Sequence, residues 1–142
     1  MLGMQYLALF LYSFKTIVMK SRSEAFYKEA TKKLSQAKEE FFKPVEDIVS
    51  YSVCKNSQFA IENYFKGFLT QNNIKLEANE TIASLFEKCV AVDKNFKGIE
   101  MSAIGCKNQA IDSRYCSELN SVSACFDTAD TIDTYLRKNN CI

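Results

Sequence analysis

Two short segments carry the side chains best suited to chemistry in this 142-residue sequence. Glu62 and Lys66 stand four residues apart, so they can pair across one helical turn with the glutamate on the favourable N-terminal side. Arg114 and Tyr115 form the second segment. A guanidinium stays protonated, so Arg114 can hold a phosphate or stabilise its charge but cannot act as a base.

Both segments also have a purely structural interpretation. Glu62 and Lys66 can form a solvent-exposed ion pair that stabilises the fold by roughly a few tenths of a kcal/mol. Arg114 can tie a loop to the carbonyls at a helix end, while Tyr115 fills the helical core. The sequence leaves the structural and the ligand-binding roles open.

The chain contains no histidine. Triads built on histidine and histidine-containing zinc sites are therefore excluded, and we expect no catalytic residue, metal or cofactor of those classes. Asp127, Asp130 and Asp133 recur at steps of three but lack the bend and carbonyl ligands of a calcium loop. We predict that this acidic row is a solvated helix face.

Six cysteines form no Cys-x-x-Cys pair, and most occupy apolar helical positions: Cys54, Cys89, Cys106, Cys116, Cys125 and Cys141. We predict reduced structural thiols that pack as small hydrophobic side chains. Disulfides and a metal site are the alternatives.

The composition is that of one globular domain with an all-α fold. Apolar residues make up 47% and charged residues 25%, while four glycines and one proline are too few for an all-β fold. The net charge of +1 gives no electrostatic case for nucleic acid or an acidic membrane as an obligate partner.

Residues 1–20 form an apolar extension ahead of a domain at residues 21–142. The extension is interpreted as an accessory helix or as an over-called start, with Met19 as the real start. The second interpretation predicts that Ser21 or Ser23 caps the following helix at its N-terminus.

Membrane association or export led by residues 1–14 is a further alternative. Lys15 shortens the apolar run below the roughly twenty residues that a spanning helix needs. The basic start and the small-residue cleavage site of a signal peptide are not clear in the sequence.

Apolar residues at steps of three and four predict four main helices. The first runs from Ser23 with its apolar stripe at Phe26, Ala30, Leu34, Ala37 and Phe41. The second runs from near Pro44 or Ser50 to Gln71, contains Gly67 as a point of close helix approach, and is ended by Asn72-Asn73.

The second half of the chain predicts two more main helices and a short one. One main helix begins near Asn79, the short helix covers residues 99–107, and the last helix is capped by Asn120 or Ser121. The last helix has one apolar face made of Val122, Cys125, Phe126, Ala129, Ile132 and Leu136. The predicted architecture is an antiparallel bundle of four main helices plus a short extra helix.

This order of elements resembles the HEPN family (higher eukaryotes and prokaryotes nucleotide-binding). The family's second helix has the form Ala-x-Glu-x-x-x-Lys-x-x-Leu, which here is Ala60 to Leu69, and an Arg-Tyr like Arg114-Tyr115 precedes its final helix. The resemblance covers about residues 23–138. It implies a HEPN-like bundle, ligand-binding roles for Arg114, Tyr115, Lys66 and Glu62, and a dimer.

The family includes ribonucleases whose motif places a histidine shortly after the arginine, and this chain contains no histidine. We therefore expect a non-catalytic module in the cytoplasm that binds a nucleotide-like ligand or a protein partner, such as a minimal nucleotidyltransferase. Eleven phenylalanines and seven tyrosines favour a homodimer. A degenerate ribonuclease or toxin, with Arg114 on RNA phosphate and Glu118 or Tyr115 replacing the histidine, is the alternative.

Overall fold

The computed structural model describes residues 2–102, 104 and 119–142, with the backbone alone for residues 2–16, 19 and 119–121. Four α-helices are described: α1 (Leu2–Phe41), α2 (Ser50–Gln71), α3 (Ile82–Val92) and α4 (Leu119–Lys138). Short 3₁₀ helices cover Val45–Asp47 and Lys94–Gly98. No strand occurs in these ranges, so the all-α prediction is confirmed.

Helix α1 is continuous through the position where the sequence predicted a start. Because the helix begins at Leu2, the prediction that Ser21 or Ser23 is an N-cap is wrong. Ser23 is buried inside the helix, and its Oγ donates a hydrogen bond to the carbonyl oxygen of Gly67 at 2.9 Å. The hydroxyl that was expected to cap a helix therefore hydrogen-bonds to the neighbouring helix instead.

Helices α1 and α2 run antiparallel and make the largest interface of the fold. Glu40 meets Val49 near the link, Lys33 lies over the Phe59 ring, and Ser23 meets Gly67 at the far end. A methyl group on Gly67 would lie only 2.7 Å from Cδ1 and Cε1 of Tyr27. The predicted close approach at Gly67 is confirmed, and its neighbour is the tyrosine ring.

Paired asparagines end both α2 and α4 in the same way. Asn73 and Asn140 adopt left-handed φ values of 61° and 58°. The next residue then donates its N–H back into the helix, Ile74 to Leu69 and Cys141 to Leu136, each at 2.9 Å. This is the Schellman arrangement, which asparagine tolerates better than other non-glycine residues. The predicted end of α2 at Asn72-Asn73 is confirmed.

Three predicted boundaries are wrong. Helix α3 is capped by Thr81 rather than Asn79, because Thr81 and Ser84 exchange side-chain-to-backbone hydrogen bonds in a capping box.

Asn120 and Ser121 lie inside α4, which already includes Leu119. The short helix occupies Lys94–Gly98, and residues 99–102 and 104 are non-helical; residues 103 and 105–107 of the predicted helix lie outside the described range.

The core fills the space between the helices with aromatic and aliphatic side chains. Phe96 is fully buried, and its ring centroid lies 4.6 Å from that of Phe68 and 4.9 Å from that of Tyr135, so the second 3₁₀ helix is tied to α2 and α4. The predicted apolar face of α4 is buried at every position: Val122, Cys125, Phe126, Ala129, Ile132 and Leu136.

Replacing Gly67 with alanine tests the close approach of α1 and α2. We expect Gly67→Ala to destabilise the fold by a net of about 1–2 kcal/mol, because driving the Tyr27 ring out of place costs about 2–3 kcal/mol. That overpacking exceeds the roughly 1 kcal/mol that alanine gains over glycine in helix propensity. The measurement is the free energy of unfolding in urea.

Gly98→Ala is the matched control, since a Cβ at Gly98 meets no atom within 4 Å. We expect it to change the free energy of unfolding by no more than about 0.5 kcal/mol. A Gly67→Ala protein as stable as wild type would contradict the packing described.

Candidate protein-binding surface

The residues singled out by the sequence are not brought together by the described structure. Arg114 and Tyr115 lie outside the described residues. The solvent-exposed interpretation of Glu62 is wrong, because Glu62 is buried in α2 and 6% exposed. Lys66 is half-buried. None of the ion pairs among the described residues joins Glu62 to Lys66. Glu62 has an interaction of another kind or with another residue.

A polar cluster that the sequence did not predict joins three helices. The Tyr64 hydroxyl donates to Asp133 Oδ1 at 2.5 Å, and Arg137 Nε donates to both Asp133 oxygens at 3.0 and 3.1 Å. The Thr31 hydroxyl of α1 lies close to the same phenol and acts on its pKa in the opposite direction to burial. Burial, and then the bond to Asp133, raises the pKa of Tyr64. Asp133 is therefore a tie between α2 and α4, and its prediction as solvated is wrong, while Asp127 and Asp130 are exposed as predicted.

A second phenol–carboxylate pair binds α4 to the turn after α3. The Tyr135 hydroxyl donates to Asp93 Oδ2 at 2.5 Å. Burial and this hydrogen bond raise the pKa of Tyr135 to about 12. Both phenols are thus uncharged near neutral pH and serve as hydrogen-bond donors between elements, not as proton acceptors.

The cysteines divide into two groups. Cys89, Cys125 and Cys141 are outside any disulfide, as predicted for reduced thiols. Burial raises the pKa of the Cys89 thiol, which makes it a poor nucleophile. For Cys54 the prediction is wrong, because Cys54 is disulfide-bonded.

Clefts open on the described surface, two of which have the following lining residues. One has a volume of about 410 Å³ and is lined by Glu24, Tyr27, Lys28, Thr31, Cys141 and Ile142. The other has a volume of about 350 Å³ and is lined by Gly98, Glu100, Ala124, Asp127, Thr128 and Thr131. The hydroxyls of Thr128 and Thr131 are already used on carbonyls of their own helix. Within the described ranges, no three histidine, cysteine or acidic side chains are grouped to hold a metal ion.

The most unusual surface is an apolar corner where α1 turns into α2. Phe42, Val45, Val49 and Tyr51 are 66%, 72%, 55% and 46% exposed. We call these four residues the apolar corner. Ile48, between Val45 and Val49, is half-buried against the core.

Glu40 fixes the shape of the apolar corner. Its carboxylate accepts from the Val49 N–H at 2.9 Å and from Lys43 Nζ at 2.7 Å, so both ends of the link are held. The bonds from Lys43 and Val49 lower the pKa of Glu40. The Phe42 ring packs edge-on against Phe126 of α4 with 6.3 Å between centroids. The backbone of the link and the Phe42 ring are therefore held in place.

Comparisons with known proteins give no relative for this chain. No family model, curated protein or solved structure matches it. In the part of the chain that is described, none of the helices has both the length and the apolar character needed to cross a membrane.

Removing the Asp133 carboxylate tests the cluster around Tyr64. We expect Asp133→Ala to lower the free energy of unfolding by about 1–3 kcal/mol, because the buried Tyr64 hydroxyl loses its acceptor. Asp130→Ala is the matched control: the same change on the same helix, at an exposed position. Urea denaturation of the two variants measures the difference. Equal stability of the two variants would show that the Asp133 carboxylate does not stabilise the packing of α2 on α4.

The state of the cysteines can be read by alkylation of the unfolded, unreduced protein. We expect peptides containing Cys89, Cys125 and Cys141 to be modified and the peptide containing Cys54 to stay unmodified until a reductant is added. Peptide mass spectrometry makes the comparison. Modification of Cys54 without reductant would rule out its disulfide.

Proposed function

We propose that this protein is a non-catalytic, HEPN-like helical module that acts by binding protein, and that its first partner is a second copy of itself. The observation that carries the proposal is the apolar corner, where three large side chains are more than half exposed within eight residues. Single exposed apolar residues are common on protein surfaces, but several of them close together in the chain favour an interaction site.

Burying the corner contributes a driving force for association. Each Å² of apolar surface removed from water contributes about 25 cal/mol, and aromatic side chains are enriched at the centres of interfaces. Because Glu40 already holds the link in place, little conformational freedom is lost when a partner covers it.

The charges around the corner suit a two-fold pairing of identical copies. Glu46 and Asp47 are exposed on the 3₁₀ helix inside the corner. Lys38 and Lys55 flank it, with their Nζ atoms 6.0 Å and 5.6 Å from the ring centroids of Phe42 and Tyr51. Acidic side chains and lysines on the same surface make it electrostatically self-complementary, which is the property that an isologous two-fold interface needs.

A non-catalytic role is supported by the side chains themselves. The chain has no histidine, and the buried phenols of Tyr64 and Tyr135 have raised pKa values. Binding of a nucleotide-like ligand, a nucleotidyltransferase partner and a cytoplasmic location rest on the HEPN resemblance and stay predictions, because Arg114 and Tyr115 lie outside the described residues.

Light scattering across a concentration series tests self-association of the full chain. We expect wild type to form a dimer. We expect the Val45→Ser/Val49→Ser double variant to raise the dissociation constant by about tenfold or more, because both side chains are at the centre of the corner. Val92→Ser is the control, since Val92 is an exposed valine at the end of α3.

Two results would contradict the proposal. One is a wild-type protein that stays monomeric at every concentration. The other is a double variant that dimerises as tightly as Val92→Ser, which would move the interface elsewhere. Circular dichroism of all three proteins checks that the bundle is folded.

A further inference from the structure

The cleft of about 410 Å³ lies between one face of α1 and the residues that follow α4. Its volume falls within the range of about 300–1,000 Å³ that is typical of small-molecule sites. Four lining residues follow one another at helical spacing on α1, and two residues after α4 complete the lining. They are Glu24, Tyr27, Lys28, Thr31, Cys141 and Ile142. We call this site the α1 cleft.

Hydrogen bonds hold the two sides of the α1 cleft together. The Tyr27 hydroxyl donates to Gln71 Oε1 at 2.8 Å, and Gln71 Nε2 donates to the Cys141 carbonyl oxygen at 3.3 Å. The backbone N–H of Cys141 donates in turn to the Leu136 carbonyl oxygen at 2.9 Å. Because these bonds are already made, little conformational freedom is lost when a ligand enters the cleft.

The interior of the α1 cleft suits an aromatic body. The Tyr27 hydroxyl is already bonded to Gln71, so the ring is what Tyr27 offers to a ligand. Burial, and then the charge of Asp93, raises the pKa of the half-buried Cys141 thiol, which is therefore uncharged near neutral pH. Aromatic rings and sulfur both make favourable contacts with another aromatic ring. Ile142 is 40% exposed and adds aliphatic surface that a ligand can cover.

The α1 cleft also has one charge of each sign. Glu24 and Lys28 are exposed and stand one helical turn apart. Glu29 and Lys33 have the same spacing and approach to 3.9 Å, but no ion pair in the described part of the chain joins Glu24 to Lys28. A ligand with a single charge would pair with one of them and lie near the like charge of the other, whereas a zwitterion pairs with both.

We propose that the α1 cleft binds a small zwitterion with an aromatic body, which is the chemistry of an aromatic amino acid or a close derivative. Lys28 takes the carboxylate of the ligand and Glu24 takes its ammonium group. The aromatic body packs against Tyr27, Cys141 and Ile142. The α1 cleft shares no residue with the apolar corner, so this proposal does not depend on dimerisation.

Fluorescence anisotropy of tryptophan measures binding to the full chain directly, because the chain itself contains no tryptophan. Tryptamine and indole-3-propionate have the same indole body but lack the carboxylate and the ammonium group, respectively. We expect tryptophan to bind wild type about two- to fivefold more tightly than either analogue, since a partly exposed ion pair contributes up to about that factor.

Two variants assign each charge of the ligand to its partner. In Lys28→Gln, tryptophan should bind no more tightly than tryptamine, because the carboxylate has lost its partner. In Glu24→Gln, tryptophan should bind no more tightly than indole-3-propionate. Both side chains are exposed, so neither change disturbs the core. Lys32→Gln is the matched control: Lys32 is an exposed lysine of α1 that does not line the cleft, and the variant should keep the wild-type order of affinities.

Two further variants separate the cleft from the dimer. Ile142→Ser should weaken the binding of all three probes by about fivefold, because each loses the same apolar contact. Val45→Ser/Val49→Ser should bind them like wild type.

Three results would overturn the proposal. The first is wild type that does not bind tryptophan at protein concentrations up to about 1 mM. The second is equal affinity of wild type for the three probes, which would mean that the cleft recognises an apolar body alone. The third is a Lys28→Gln protein that still prefers tryptophan to tryptamine.

Discussion

The contact of the Tyr27 ring with the bare backbone of Gly67 sets the spacing of α1 and α2, and the remaining packing depends on that spacing. With the two helices this close, Ser23 reaches the Gly67 carbonyl and the Tyr27 hydroxyl donates to Gln71 Oε1 at 2.8 Å. The amide of Gln71 in turn donates to the Cys141 carbonyl at 3.3 Å. One missing side chain thus allows a chain of hydrogen bonds that runs from α1 through α2 to the end of α4.

Local patterns predicted the parts of this fold that local physics determines. The apolar stripe of α4, the end of α2 at Asn72-Asn73 and the close approach at Gly67 follow from helical periodicity, from the left-handed tolerance of asparagine and from the size of glycine. Ser23 and Asp133 were predicted wrongly because their partners are 44 and 69 residues away in sequence. A polar residue in an amphipathic pattern looks solvated until its distant partner is known.

Glu62 and the candidate site show a second limit. Helix α2 has interfaces with α1, α3 and α4, so even the side opposite its apolar stripe is covered, and Glu62 is buried there. Periodicity alone cannot reveal that a helix is central. The apolar corner was not predicted either, because Val45 and Val49 belong to a link between helices, where no repeat exists to judge burial. The abundance of phenylalanine and tyrosine was the one signal for an interface, and it did not indicate where on the surface the interface lies.

The disulfide at Cys54 links the covalent structure of the chain to the redox state of its surroundings. Glutathione and thioredoxin keep protein thiols reduced in most cytosols, whereas disulfides persist in secreted and lumenal proteins. A chain that stays in a reducing compartment would keep Cys54 as a thiol, buried in α2 beside Gln58, whose amide lies 2.8 Å from the sulfur. The same sequence therefore has two covalent forms, and the redox state of its surroundings decides which of them is the native one.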